Sequence, residues 1–267
     1  MGSLATRARD RAELGRRIRA YLADEARGGN EITDLIGHLG QAGEVAIFGG
    51  MPRDIAWGGA GAFGSDVDLV VDAAPGRLAE LLRDGRAVRN RFGGYRIAGR
   101  RHSYDVWALP STWAVRSGHV RATCLADLVH TTFFDRDAVL YLCGSHQVHH
   151  GPRFAAWLRD GMVDVNLEAN PNPRGTALRA LRILLEPAQV AGPGLAEYLR
   201  RMAMRPDRRL DKDTVSRLAE AVASLAAVPS RPCGTVAQRR SGPAAVRAQA
   251  PERRASPAGR RDRQGER

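Results

Sequence analysis

Val45-Ala46-Ile47-Phe48-Gly49-Gly50-Met51-Pro52-Arg53-Asp54, followed by Asp66-Val67-Asp68-Leu69-Val70-Val71, decides how this chain is read. Four apolar residues that end on two glycines make a short buried strand closed by a turn. A short helix over about 51–57 follows, then a glycine-rich connection through 58–64. In 66–71 acids alternate with apolar residues before the run becomes fully apolar, which suits a strand at the polar edge of a sheet. Side chains two apart on a strand share a face, so Asp66 and Asp68 present two carboxylates together. Such a pair repels unless a cation sits between them or one is protonated. Oxygen-rich pairs suit Mg²⁺, which prefers carboxylates plus substrate phosphates. The glycine turn and the helix after it would let backbone N–H groups approach a triphosphate. Taken alone, the Asp-x-Asp spacing also fits a solvated strand edge.

Tyr104-Asp105-Val106-Trp107 reads as a further strand, in which Asp105 interrupts an apolar alternation. It supplies the third acid that a metal pair bridged by Asp66 and Asp68 would require; its other reading is a salt bridge to one of the many arginines.

Around this centre the pattern alternates between helix and strand. Residues 5–27 predict an Arg-rich helix with Leu14, Ile18 and Leu22 on one stripe, and Asn30 predicts the cap of a helix over 31–40. Residues 76–83 read as helical, and 86–109 as a hairpin with Gly93-Gly94 near its turn. Residues 138–143 and 162–167 are strand candidates, with a helix near 153–159 between them. From Thr176 the pattern is helical, broken at Gly192-Pro193-Gly194. Residues 231–267 lack Leu, Ile, Phe, Trp, Tyr and Met, so they cannot bury enough surface to offset chain entropy, and disorder is expected there. The reading is an α+β protein: a head over 1–168, a helical neck-like segment over 169–230 and an Arg-rich tail over 231–267.

Composition narrows the function classes. The net charge is +12, but the tail alone holds ten arginines against Glu252, Asp262 and Glu266, so +7 of that total belongs to it. With Lys212 the only lysine, the arginine bias fits GC-rich coding as well as polyanion binding. No apolar run is long enough to span a membrane, and no apolar stretch follows the N-terminal arginines, so a cytoplasmic protein is expected. Cys124, Cys143 and Cys233 form neither a disulfide framework nor a metal pair; Cys124 and Cys143 read as small buried hydrophobes. His146, His149 and His150 read as a polar strand end or turn, because no acid or cysteine stands at zinc-ligand spacing.

The motifs carry a resemblance. Gly49-Gly50-Met51-Pro52-Arg53-Asp54 resembles the GGxxRD element of the class II tRNA nucleotidyltransferase and bacterial poly(A) polymerase head, within the DNA polymerase β-like superfamily. Asp66-Val67-Asp68 is similar to its DxD, and Phe92-Gly93-Gly94 to its next Phe-Gly element. Asp105 matches its third carboxylate. Phe134-Asp135-Arg136-Asp137-Ala138 resembles its FTINA stretch with Asp137 at the Asn position, and Leu178-Arg179-Ala180-Leu181-Arg182 its LRAIR element. These elements lie in the family's order across 44–185.

The resemblance implies transfer of a nucleoside monophosphate from an NTP to a hydroxyl, with an RNA 3′ end as the expected acceptor, as in tRNA processing. Asp66, Asp68 and Asp105 would hold two Mg²⁺ ions, and Gly49, Gly50 and Arg53 the phosphates. Arg179 and Arg182 would reach the nucleotide, unless they are simply the solvated side of a neck helix. Two departures stand out. Thr131-Thr132-Phe133 replaces the family's RRD, and the base-selecting EDxxR is not evident, since Asp213 and Arg217 are four apart. The 48 residues from Ile183 to Ser230 are too few for the family's body and tail domains, so a head with part of a neck is expected. Two other readings stay open: nucleotidylation of a small molecule, protein or second nucleotide, and a degenerate module that only binds nucleotide.

Overall fold

The apolar run at 45–48 forms β1 (Val45–Phe48), whose first three residues are fully buried between its neighbours. The computed structural model describes residues 6–204 except 84, 86 and 91. Among these residues β1 belongs to a seven-stranded sheet with β2 (Val67–Val71), β3 (Ala87–Arg89), β4 (Tyr95–Ala98), β5 (Ser103–Ala108), β6 (Val139–Leu142) and β7 (Val148–His150). The spatial order is β3-β4-β5-β2-β1-β6-β7. Neighbours pair antiparallel except β2 and β5, which run parallel with Asp68 opposite Asp105. A parallel pair needs a crossover, and the chain supplies it with α4 (Pro75–Leu81) and the β3–β4 hairpin. The mixed sheet with flanking helices is the expected α+β class.

Strand alternation gives the sheet two unequal faces. On one, Ile47, Leu69, Val71, Tyr104 and Val106 pack against α1 (Arg11–Leu22), α2 (Gly29–Leu39) and α3 (Gly50–Gly58) through Leu14, Ile18, Ile32, Leu39, Met51 and Ile55. Full burial of each such side chain contributes about 1.5–3 kcal/mol, so this layer carries most of the stability. On the other face Ala46, Val70 and Leu140 meet Leu125, Leu128 and Val129 of a single 3₁₀ segment, Leu125–His130. That cover is small, and Phe48, Asp68 and Trp107 line an open cleft beside it.

After α5 (Trp113–Arg116), α6 (Phe154–Asp160) and the two-residue strand β8 (Met162–Val163), the chain enters α7 (Pro173–Leu184), β9 (Val190–Ala191) and α8 (Pro193–Met204). Ala177, Ala180, Ile183, Leu195 and Leu199 join the same core as the head. The remainder of the neck-like segment, 205–230, and the tail, 231–267, lie outside the described residues. No helix among the described residues is long and apolar enough to cross a membrane.

Several expectations are corrected. The helix predicted over 5–27 is confined to 11–22, because the Asp10 carboxylate caps it by accepting from the Glu13 N–H and the chain turns at Gly28, where φ is +80°. Asn30 does not cap α2, which already begins at Gly29. β2 is the central strand and not a polar edge; its leading acids face a cleft, which produces the same alternation as bulk water. Only Met162–Val163 of the strand predicted over 162–167 is paired as a strand, with a single bridge from Val165 to Phe134. Cys124 is exposed, not buried, and caps the segment that follows it.

Candidate active site

At the end of β1 the backbone of Gly49 takes φ +68° and ψ −106°, a conformation open to glycine and strained for other residues. Its N–H donates to the Val139 carbonyl at 2.8 Å, and its carbonyl accepts from the Arg53 N–H at 3.1 Å. These bonds fix the corner from which α3 starts. Gly49 and Gly50 line a cavity of about 410 Å³, so the first, unpaired N–H groups of α3 lie at its wall, where an anion is favoured.

Beside the corner, the even-numbered positions of β2 and odd-numbered positions of β5 share the cleft face. Asp68 lines the cavity. Asp66 precedes β2 by one residue and is half-exposed, and Asp105 stands beside Asp68 on β5. Arg96, opposite Asp105 on β4, ties the outer pair together: it donates through Nη2 to Asp66 at 2.7 Å and through Nη1 to Asp105 at 3.3 Å. Arg96 thus stands between Asp66 and Asp105, and Asp68 lies opposite Asp105 on the neighbouring strand. Burial and the neighbouring Asp105 raise the Asp68 carboxyl to about 7, against the opposing pull of Arg179. Asp105 is also raised, by burial and by Asp66, while Arg96 lowers it.

Whether these residues fit Mg²⁺ is a question of donor type and arrangement. Three hard carboxylates, one of them held up in pKa by burial and then by its like-charged neighbours, are of the donor type that suits it. Among the described residues no three acid, histidine or cysteine side chains are already grouped to hold a metal. Arg96 supplies the positive charge instead, so a cation on this floor requires Asp66 and Asp105 to exchange Arg96 for it.

A second cluster lies under the corner. The Arg53 guanidinium is enclosed by two carboxylates: Nε donates to Asp54 at 2.8 Å and Nη1 to Asp137 at 2.5 Å. It does not line the cavity. Burial works against its charge, but Asp137 and Asp54 outweigh that and hold its pKa above the ordinary value. Arg179 on α7 donates through Nη2 to the other oxygen of Asp137 at 2.9 Å, and among the described lining residues it is the one basic side chain. Arg182 is exposed and stands apart from the lining.

The remaining wall is largely aromatic. Phe92, Trp107, Trp113 and Phe133 line it with Thr131, Thr132, Asn170 and Thr176. Gly94 is required here, because a Cβ would stand 2.6 Å from the Trp107 ring. Of the other tryptophans, Trp157 is fully buried and stacks on Trp57 at 4.8 Å. The sequence reading missed Arg96, whose two partners come from separate stretches, and the linking position of Asp137. A strand-position arginine facing the same side as Asp105 was the available signal for the first.

No protein-family model matches the chain, and no curated protein does. Solved structures do. The Thermotoga maritima CCA-adding enzyme complexed with tRNA aligns over 77% of this chain and 50% of its own, at 17% identity and a TM-score of 0.53. The chain has the nucleotidyltransferase head fold. A CCA-adding enzyme in complex with ATP covers 72% of this chain and 47% of its own, at 18% identity and a TM-score of 0.50. The Bacillus stearothermophilus CCA-adding enzyme in complex with CTP gives 72%, 48%, 17% and 0.50 in the same order. The chain spans about half the length of those enzymes.

Proposed function

We propose that this chain is a nucleotidyltransferase that moves a nucleoside monophosphate from an NTP to a hydroxyl acceptor and releases pyrophosphate. One observation carries the reading: Asp68 lines a cleft together with the Gly49-Gly50 corner and the Arg179 side chain, with Asp105 opposite Asp68 on β5 and tied to Asp66 through Arg96. The first N–H groups of α3 and the guanidinium of Arg179 bind the triphosphate. Arg53 holds the corner in place from below. Asp66, Asp68 and Asp105 would hold Mg²⁺, which when bound supplies charge for both the acceptor oxygen and the leaving pyrophosphate. The acceptor hydroxyl is oriented from the aromatic side of the cleft.

The acceptor we favour is an RNA 3′ end, in line with the CCA-adding enzymes that share the fold. The aromatic wall favours a second reading. Phe133 stands where the resembled family carries a charged motif, and a wall of Phe92, Trp107 and Trp113 also suits a compact aromatic acceptor such as a second nucleotide. Incubation of the protein and Mg²⁺ with each labelled NTP, against RNA and against small-molecule pools, tests both. Extended RNA supports the first, a labelled small product the second. The absence of transfer in either pool, with Asp66→Ala indistinguishable from the parent, refutes the enzyme reading and leaves a nucleotide-binding module.

A further inference from the structure

We propose that Asp137 is a positioning residue, whose single carboxylate joins the glycine corner to α7 by holding Arg53 on one oxygen and Arg179 on the other. The role assigned to Arg179 rests on the nucleotidyltransferase reading; the linkage rests on geometry alone. Asp137 is only 7% exposed, and it lies between two elements that the sequence separates by more than a hundred residues. Its Oδ1 accepts from Arg53 and its Oδ2 from Arg179.

The two arginines are not equivalent. Arg53 is 12% exposed and also bound by Asp54, so it is fixed. The Arg179 side chain is 56% exposed and donates to Asp137. A long, flexible arginine loses rotamer entropy when ordered. Its tether to Asp137 bears that cost before any ligand arrives. One N–H is used, which leaves the rest of the guanidinium fork free for an anion in the cleft. The Phe134 ring, 5.7 Å from the guanidinium carbon, supports the same orientation.

The chemistry of the side chain matters as well as its place. Asn, which the resembled motif has here, offers one acceptor oxygen and no charge. It cannot offer each guanidinium group an oxygen of its own. The carboxylate of Asp137 can, and it neutralises one of the two positive charges it joins.

Asp137→Asn, Arg179→Ala and the double variant test this with two measurements: calorimetric binding of ATP and CTP, and labelling of Arg179 by phenylglyoxal in nucleotide-free protein, mapped by mass spectrometry. Circular dichroism reports the fold. We expect Asp137→Asn to weaken NTP binding about tenfold, a change typical for one charge-assisted contact, and to raise Arg179 labelling several-fold. The double variant should bind no more weakly than Arg179→Ala alone, because Asp137 acts through Arg179. Unchanged labelling, or losses that multiply in the double variant, overturns the proposal. If Asp137→Asn does not fold, Asp137→Glu, which keeps the charge but displaces it, is held to the same labelling criterion. If the parent protein binds no NTP, the functional reading fails, and the labelling alone decides on Asp137.

Discussion

Asp68 and Asp105 stand directly opposite each other where β2 and β5 run parallel, and no other strand separates them. Burial and this neighbour bring the Asp68 carboxyl to about 7. An acid half-protonated at neutral pH must release its proton when a cation binds beside it. Mg²⁺ affinity is therefore expected to tighten as pH rises from about 6 to 8, with proton release on binding. Calorimetry in two buffers of different ionisation enthalpy measures both. The sign for the metal-free protein is opposite: a raised carboxyl costs stability as it ionises, so stability should fall as pH rises through about 7.

Arg96 supplies the charge that the acids lack. Its removal in Arg96→Ala should tighten Mn²⁺ binding several-fold, since the cation no longer competes with a tethered guanidinium, and electron paramagnetic resonance can follow free Mn²⁺ directly. Both ion pairs are solvent-exposed and screened, so they add little to stability. The melting temperature should thus change little. Weaker Mn²⁺ binding would show that Arg96 organises the acids and does not compete for them.

The glycine corner should tolerate little change. A Cβ at Gly49 meets only the Asp137 carbonyl at 3.9 Å, so the penalty for Gly49→Ala is backbone strain and not collision. A loss of about 1–3 kcal/mol is expected by urea unfolding. Gly61→Ala, at an ordinary φ and in open space, serves as the control and should be neutral or slightly stabilising.

Trp157 anchors α6 to the core. It is fully buried, stacks on Trp57, and donates from Nε1 to Gln189 at 2.8 Å. Trp157→Phe keeps a ring but leaves Gln189, itself buried, without this donor. A loss of about 1–3 kcal/mol is expected, read from the denaturant midpoint. Pairing it with Gln189→Leu should recover part of the loss; no recovery would place the cost in the stacking instead.

The order of elements around the site was legible from residues 45–71 and 104–107, because buried strands with one polar face leave a period-two pattern whatever the polar face meets. That same ambiguity caused the central strand to be read as an edge: alternation records that Asp68 avoids the core, not that it meets bulk water. Helix limits were less legible where a cap lies inside a longer helical pattern, as Asp10 does. Ionic links such as Arg96 to Asp66 and Arg53 to Asp137 join residues 30 and 84 positions apart. Such links depend on strand order and register, which no local spacing encodes.

The hairpin that bears Arg96 occupies the margin of the sheet, with β3 bonded on one side only. Outside Gly94, which packs against Trp107, its exposed side chains can vary while β2 keeps its pairing to β5 and β1. The electrostatic setting of the acids is in this way separable from the scaffold that aligns them, so exchanging the hairpin alone offers a route to retune the site.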